Sequence, residues 1–180
     1  MTSAQAAELL SHGHLARSER RLADAKKYFA QAVERCHKLN DRMLLAQALS
    51  GLGQIERDMG NAGAALKHYT DAVTLRRTQD DPLLLAHALR HVADILRDQE
   101  QLEKAAPFYE EALEIYRKAE HAPPLDFANA LRGYALLKTD LNDPDEAIYI
   151  WHEAMAHYAE AGVQAGVADC QSQIAFLLGR

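Results

Sequence analysis

The residues of this sequence that are best spaced for chemistry are two histidines and an aspartate. His87, His91 and Asp94 stand at positions i, i+4 and i+7, so one face of a helix would carry two imidazoles and a carboxylate, a set that can ligate a divalent ion. The flanking residues do not form an HExxH motif, and no further histidine or carboxylate is spaced to complete a coordination shell. We therefore predict neither a metal site nor a cofactor.

Other catalytic signatures are missing from the sequence. It contains no GxSxG motif, no phosphate-binding loop and no dinucleotide-binding fingerprint. The two cysteines, Cys36 and Cys170, lie far apart and form no CxxC pair, which suits a protein of a reducing compartment. We therefore predict that the protein is not an enzyme.

The composition narrows the class of partner. The chain has 20 basic and 26 acidic residues and a net charge of −6, whereas nucleic-acid binding usually requires a basic surface. No apolar run approaches the ~20 residues of a membrane-spanning helix, and the N-terminus lacks the basic start and apolar core of a secretory signal. We predict a cytoplasmic protein that binds neither nucleic acid nor membrane.

A repeated pattern runs through the chain. Four segments share the order alanine, three residues, an aromatic residue, two residues, alanine; they begin at Ala25, Ala65, Ala105 and Ala147, which gives periods of 40, 40 and 42 residues. A second set recurs with the same period about twelve residues upstream, at Gly13, Gly53, Ala93, Ala135 and Ala175. Repetition at a fixed period predicts stacked copies of one structural unit.

Each repeat is predicted to form a pair of helices. Apolar residues recur at spacings of three, four and seven, good helix formers dominate, and turn residues cluster at the breaks. The small residues of the second set should mark close approaches between helices, with the repeated aromatic residue filling the space beside them. We predict an all-α protein with a single domain over residues 1–180, composed of repeats at 4–38, 42–78, 83–119 and 125–161 and a capping helix at 165–178.

The repeat resembles the tetratricopeptide repeat. The similarity rests on two motifs, Leu49-x2-Leu52-Gly53 and Ala65-x3-Tyr69-x2-Ala72. The period of 40–42 residues is similar to that of the longer repeats of kinesin light chains and of many bacterial regulators. The resemblance covers almost the whole chain and implies an α-α superhelix whose concave groove, lined mainly by the first helix of each pair, holds an extended peptide or a partner's helix.

The resemblance also implies which side chains face the groove. In the family's register, the predicted peptide-binding residues are Gln54, Arg57, His87, Arg90, Asp94, Arg97, Asn129, Arg132, Leu136 and Phe176. The polar members would orient the ligand by hydrogen bonds. Leu136 and Phe176 could form a pocket for an apolar side chain of the ligand, or they could pack on each other.

Arginines stand out among these groove residues because the protein is acidic. They recur as one series, Arg17, Arg57 and Arg97, and as a shorter series, Arg90 and Arg132. Guanidinium groups bind carboxylates through paired hydrogen bonds, so an acidic or carboxylate-bearing ligand is predicted. Neutralisation by nearby aspartates, namely Asp58, Asp98 and Asp140, is the alternative for the first series, whereas the second has no obvious acidic neighbour in register.

The leading hypothesis is therefore a non-enzymatic scaffold that binds a protein or peptide in the groove. Two alternatives stay open. An unpaired face of the capping helix, with Ile174, Leu177 and Leu178, could form a homodimer. A sensor module, in which a small anion or a signalling peptide changes the pitch of the superhelix, is the second alternative.

Overall fold

A computed structural model describes residues 2–179, and over this range the chain forms nine α-helices and no β-strand. The predicted all-α class is confirmed, and the repeats begin and end within two residues of their predicted bounds. Residues 1 and 180 of the predicted domain lie outside the described range. The helices are α1 (Ser3–Ser18), α2 (Leu22–Leu39), α3 (Arg42–Asp58), α4 (Ala62–Arg76), α5 (Pro82–Asp98), α6 (Leu102–Lys118), α7 (Pro124–Asp140), α8 (Pro144–Glu160) and α9 (Gln164–Leu178).

The helix ends lie where the local sequence favours them. Asp41 caps α3 with its side chain, which accepts a hydrogen bond from the amide of Leu44 at 3.1 Å. One residue in the turn within each pair adopts the left-handed conformation that commonly ends a helix. These residues recur with the period of the repeat and are Arg20, Gly60, Glu100 and Asn142. None of the described helices combines the length and the apolar content that crossing a bilayer requires.

The chain divides into two compact units, residues 1–88 and 89–180, with the boundary inside α5. We call them the N-terminal unit and the C-terminal unit. The N-terminal unit contains α1 to α4 and the start of α5, and the C-terminal unit contains the rest of α5 and α6 to α9. A single domain over residues 1–180 stays a prediction.

In the N-terminal unit, aromatic rings occupy the space beside glycines. Phe29 is fully buried, and a Cβ atom at Gly13 would lie 2.8 Å from its ring, closer than side chains approach in folded proteins. A Cβ atom at Gly51 would overlap the same ring. Gly53 is placed in the same way against Tyr69, at 2.7 Å. The predicted close approach of helices beside an aromatic residue is therefore confirmed in this unit.

The C-terminal unit repeats this packing with different partners. A Cβ atom at Gly133 would lie 2.6 Å from the ring of Tyr109, and one at Gly166 would lie 2.5 Å from the ring of Tyr158. Trp151, at the aromatic position of the fourth repeat, is fully buried. Close packing of this kind leaves little room for side-chain rearrangement, so the helices give a rigid frame for the residues that they carry.

The capping helix α9 packs against α8 with the face that was expected to be free. Ile174 and Leu177 are 8% and 6% exposed, whereas Leu178 is 71% exposed. The prediction of an unpaired face formed by these three residues was therefore wrong. Two of them bury their side chains in the C-terminal unit itself, because α8 and α9 form an additional helix pair.

Candidate functional site

A concave pocket in the N-terminal unit is lined by Gln54 and His87 but not by Arg57, the third groove residue predicted for that unit. The pocket has a volume of about 580 Å³. Its walls come from α1, α3 and the start of α5, which are the first helices of three successive pairs, with side chains from α2 and α4. The lining residues are Ala7, Leu10, Ser11, His14, Arg17, Phe29, Gln47, Ser50, Gly51, Gln54, Tyr69, Arg76 and His87. Gln54 and His87, two of the predicted binding residues, thus share one cavity.

The pocket lining contains basic side chains and no acidic one, although the protein has a net charge of −6. Burial, followed by the charge of Arg17, lowers the pKa of His14, which leaves this imidazole neutral at pH 7. Arg17 forms an ion pair with Asp58 at 2.6 Å. Arg76, the other arginine that lines the pocket, has no ion-pair partner among the described residues.

Arg76 is the most unusual residue of the pocket. It lies in the last turn of α4 and is only 4% exposed, and its Nε and Nη1 atoms are buried without a hydrogen-bond partner among the described residues. Burial lowers the pKa of Arg76, an effect that the charge of Asp81 partly offsets. A guanidinium group nonetheless stays protonated in proteins. The pocket is thus bordered by a buried, unpaired positive charge.

Sequence reasoning missed Arg76 because the family's register assigns groove residues mainly to first helices, and α4 is a second helix. The repeat period does contain the signal. The positions equivalent to Arg76 hold Cys36, Tyr116 and Tyr158, all of them uncharged, and the structure buries all four residues. An arginine at a position that the other repeats fill with core residues could have been singled out.

The first arginine series is largely neutralised. Besides the pair between Arg17 and Asp58, Arg97 Nη2 lies 2.7 Å from Asp98 Oδ1. Burial alone would raise the pKa of Asp58. The net effect is a lowered pKa, because Asp58 accepts hydrogen bonds from Arg17 and Gln54 and lies near the charge of Arg57. These contacts support the interpretation that aspartates balance this series.

Arg90 belongs to a closed polar cluster of the C-terminal unit. Its Nη1 atom lies 2.8 Å from Asp94 Oδ2, its Nη2 atom lies 2.9 Å from His91 Nε2, and Tyr109 donates its hydroxyl hydrogen to Asp94 Oδ1 at 2.7 Å. Burial, and next the charge of Asp94, raises the pKa of Tyr109 far above its usual range, so the phenol remains a donor. The expectation that Arg90 lacks an acidic neighbour was wrong, because Asp94 lies one helical turn away.

The same cluster contains two of the three residues whose spacing could suit a metal ion, His91 and Asp94. The carboxylate of Asp94 is already engaged by Arg90 and Tyr109. Within residues 2–179, no group of three or more histidine, cysteine, aspartate or glutamate side chains is arranged to hold a metal ion.

The remaining predicted residues lie on α7 and α9. Arg132 Nε lies 2.8 Å from Asp169 Oδ2, which corrects the expectation that Arg132 has no acidic neighbour, yet its side chain is still 42% exposed. Asn129 Oδ1 accepts a hydrogen bond from the hydroxyl of Tyr158 at 2.8 Å. Leu136 is partly buried and Phe176 is 54% exposed. Arg132 and Phe176 are thus the more accessible of the residues predicted here.

Comparison with known proteins places the repeats in a family. Models of one family, described as tetratricopeptide repeat, match residues 5–78 and residues 85–120. A search of curated proteins found no significant match to the chain.

Several solved structures share the fold at low sequence identity. The apo form of RapI gives a TM-score of 0.84 at 11% identity over 92% of this chain and 60% of RapI. Aspartyl phosphate phosphatase F from Bacillus subtilis gives 0.85 at 18% identity, over 97% of this chain and 45% of that protein. BtubC (BKLC) from P. vanneervenii gives 0.71 at 20% identity, over 93% and 79%. This chain spans less than two thirds of the first two proteins, and such similarity shows the fold alone.

Proposed function

The chain belongs to the tetratricopeptide repeat family, and we propose that it is a non-enzymatic scaffold that binds a peptide or protein segment. The observation that carries the proposal is the pocket of the N-terminal unit, where predicted groove positions of three successive repeats line one cavity. Its volume of about 580 Å³ lies within the range of ligand-binding clefts. An extended segment in this pocket would contact α1, α3 and α5.

The ligand is proposed to be acidic or to carry a carboxylate. The lining of the pocket offers amide hydrogen-bond donors from Gln47 and Gln54 and contains no aspartate or glutamate that would repel an anion. Because the protein as a whole is acidic, such a lining is unlike its average surface. Electrostatic complementarity of this kind discriminates between partners. His87 and Arg57 would add polar contacts.

In the C-terminal unit, we propose that Arg132, Asn129 and Phe176 make the main contacts. Arg132 and Phe176 are accessible, with 42% of the Arg132 side chain and 54% of Phe176 exposed. Leu136 would extend the apolar surface. The remaining predicted residues, Arg90, Asp94 and Arg97, are mostly buried and would support the surface rather than provide most of the binding energy.

Self-association through α9 is less well supported than peptide binding. Leu178 is the exposed member of the three residues on which that alternative rested, and a single exposed leucine is ordinary for a protein surface.

A displayed library of random peptides, half with free and half with amidated C-termini, tests the proposal. The chain should select peptides, and the affinity of a selected peptide should fall about tenfold or more in Gln47→Glu, which adds a negative charge to the pocket without changing side-chain size. The matched control is Gln31→Glu, the same substitution at an exposed position of α2.

Two results would contradict the proposal. One is that a correctly folded chain, verified by its helical circular dichroism, selects no peptide. The other is that Gln47→Glu and Gln31→Glu bind the selected peptides equally well, which would place the binding surface outside the pocket.

A further inference from the structure

We propose that the pocket of the N-terminal unit contains a specific carboxylate-binding site and that Arg76 is its principal binding residue. This inference adds a ligand group to the proposed function, and it rests on that function where the carboxylate belongs to a peptide. The site itself is defined by side chains of this chain and takes any ligand that presents a carboxylate on a slender apolar or peptide stem.

The first observation is that a buried charge borders the cavity without a partner. Arg76 lines the pocket but is only 4% exposed. Its Nε and Nη1 atoms make no hydrogen bond to any described residue. Removing a guanidinium group from water is costly unless an anion compensates it, and arginine cannot escape the cost by losing its proton. A carboxylate in the pocket would supply that compensation.

The second observation concerns the acidic residue whose charge acts on Arg76. Asp81 lies within electrostatic range of Arg76 and is the acid that acts on its pKa. However, the Asp81 side chain accepts a hydrogen bond from the amide of Leu84 at 3.1 Å, at the start of α5. Asp81 thus caps α5 with one carboxylate oxygen, and the Nε and Nη1 atoms of Arg76 have no hydrogen-bond partner among the described residues.

The third observation comes from the internal repeats. Cys36, Tyr116 and Tyr158 occupy the position of Arg76 in the other three repeats, and all three are buried. Since an uncharged core residue serves the same packing position three times, the fold does not require an arginine there. A function at this repeat is the simplest reason for the substitution.

The surroundings define the rest of the ligand. The side-chain amides of Gln47 and Gln54 can donate hydrogen bonds within the pocket, as a carboxylate requires. Leu10 and Phe29 line the same cavity and would contact the stem that carries the carboxylate. A guanidinium forms stronger, charge-assisted hydrogen bonds with a carboxylate than with a neutral group, so the site should distinguish a carboxylate from an amide.

The test uses two small probes, propionate and succinate, with propionamide as the neutral control. Resonances of the arginine Nε–H groups are recorded by NMR while each probe is added to the ¹⁵N-labelled full chain. We expect a saturable shift of the Arg76 Nε–H signal with the carboxylates and none with propionamide. Absence of a saturable shift up to high millimolar concentrations would overturn the proposal.

Variants give an independent readout. In Arg76→Met, binding of the carboxylates should be lost, while the melting temperature of the ligand-free protein should rise by about 2–8 °C, because an unpaired buried charge has been removed. Arg77→Met, the same change at the exposed neighbouring residue, should leave carboxylate binding unchanged. Unaltered carboxylate binding by Arg76→Met would assign the site elsewhere. If this variant does not fold, the shift of the wild-type Nε–H signal decides alone.

Peptides separate this proposal from the proposed function. Selected peptides that bind wild type and Arg76→Met equally would overturn the carboxylate site and leave the scaffold function intact. Small carboxylates that bind through Arg76 while no peptide is selected would support the site and contradict the scaffold function. If a selected peptide loses binding on C-terminal amidation, its terminal carboxylate is the ligand. If it loses binding on Asp→Asn or Glu→Gln exchange, the ligand is a side-chain carboxylate. Binding that survives both changes would contradict the proposal.

Discussion

Two buried arginines show how the two units differ. Arg90, in the C-terminal unit, has a side chain that is 12% exposed, and both of its terminal nitrogens have partners, Asp94 at 2.8 Å and His91 at 2.9 Å. Arg76, in the N-terminal unit, is 4% exposed, and its Nε and Nη1 atoms have none among the described residues. Both arginines have a buried Nε atom without a hydrogen-bond partner among the described residues, but the terminal nitrogens of Arg90 are paired, whereas Nη1 of Arg76 is not.

The difference indicates which charge serves the fold and which serves a ligand. A buried ion pair such as Arg90–Asp94 is costly to break, because removing either partner leaves the other buried, charged and without a hydrogen-bond partner. A buried charge that lies beside a cavity and has no partner destabilises the ligand-free protein. Binding of an anion would remove that destabilisation. The C-terminal unit therefore uses its arginine as a structural element, and we interpret Arg76 as a binding element.

The largest effect is expected when the enclosed arginine loses its partner. Asp94→Ala removes the carboxylate that engages both Arg90 and Tyr109, and it should destabilise the protein by about 3–5 kcal/mol. The free energy of unfolding in urea measures this. Asp98→Ala, which removes a half-exposed carboxylate from the same helix, should cost no more than about 1 kcal/mol. Equal costs for the two substitutions would mean that the Arg90 cluster is not structural.

A second substitution tests whether the pocket wall is rigid enough to keep Arg76 unpaired. Gly51→Ala places a methyl group against the ring of Phe29, which also lines the pocket, and should destabilise by about 1–3 kcal/mol. Gly63→Ala meets no atom within 4 Å and should be neutral or stabilise by up to about 1 kcal/mol. A neutral Gly51→Ala, again by urea unfolding, would show that the wall can move.

The turns within the repeats allow a comparison of two equivalent positions, one in each unit. Gly60 and Glu100 occupy equivalent left-handed positions with φ of 79° and 59°, and glycine adopts this conformation at least cost. Glu100→Gly should therefore stabilise the protein by about 0.5–1 kcal/mol, and Gly60→Ala should destabilise it by a similar amount. Thermal unfolding measures both, and stabilisation by Gly60→Ala would contradict the turn geometry.

The smallest effect is expected at an arginine that is paired but exposed. Arg17, whose side chain is 42% exposed, forms an ion pair with Asp58 at 2.6 Å. Arg17→Ala should change the free energy of unfolding by less than about 1 kcal/mol, because solvent screens such pairs. A cost approaching that of Asp94→Ala would show that exposure does not separate the two classes of arginine.

The helical architecture was predictable because its determinants are local. Periods of 40, 40 and 42 residues place the repeats, and turn residues such as Gly60 and Asn142 separate the two helices within a repeat. The contacts of Gly13 and Gly53 with aromatic rings were predictable for a related reason. Each repeat carries the same pattern, so one packing solution applies to all of them.

The pairing of charges was predictable only in part. Asp58 was named as a neighbour of the first arginine series, but Arg132 meets Asp169 from 37 residues away, and this contact depends on how neighbouring helices pack. The free face predicted for α9 failed for the same reason, since the burial of Ile174 and Leu177 is decided by contact with α8.

By itself, the sequence determined the helices, their repeat and the residues that separate them, because backbone hydrogen bonds, turn conformations and helix periodicity act over a few residues. Only the tertiary structure decided that Tyr109 donates to the Asp94 carboxylate beside Arg90, whereas Arg76 lines a pocket with its Nε and Nη1 atoms unpartnered among the described residues. The state of a charge depends on the distance to the opposite charge and on the water excluded around it, and packing sets both.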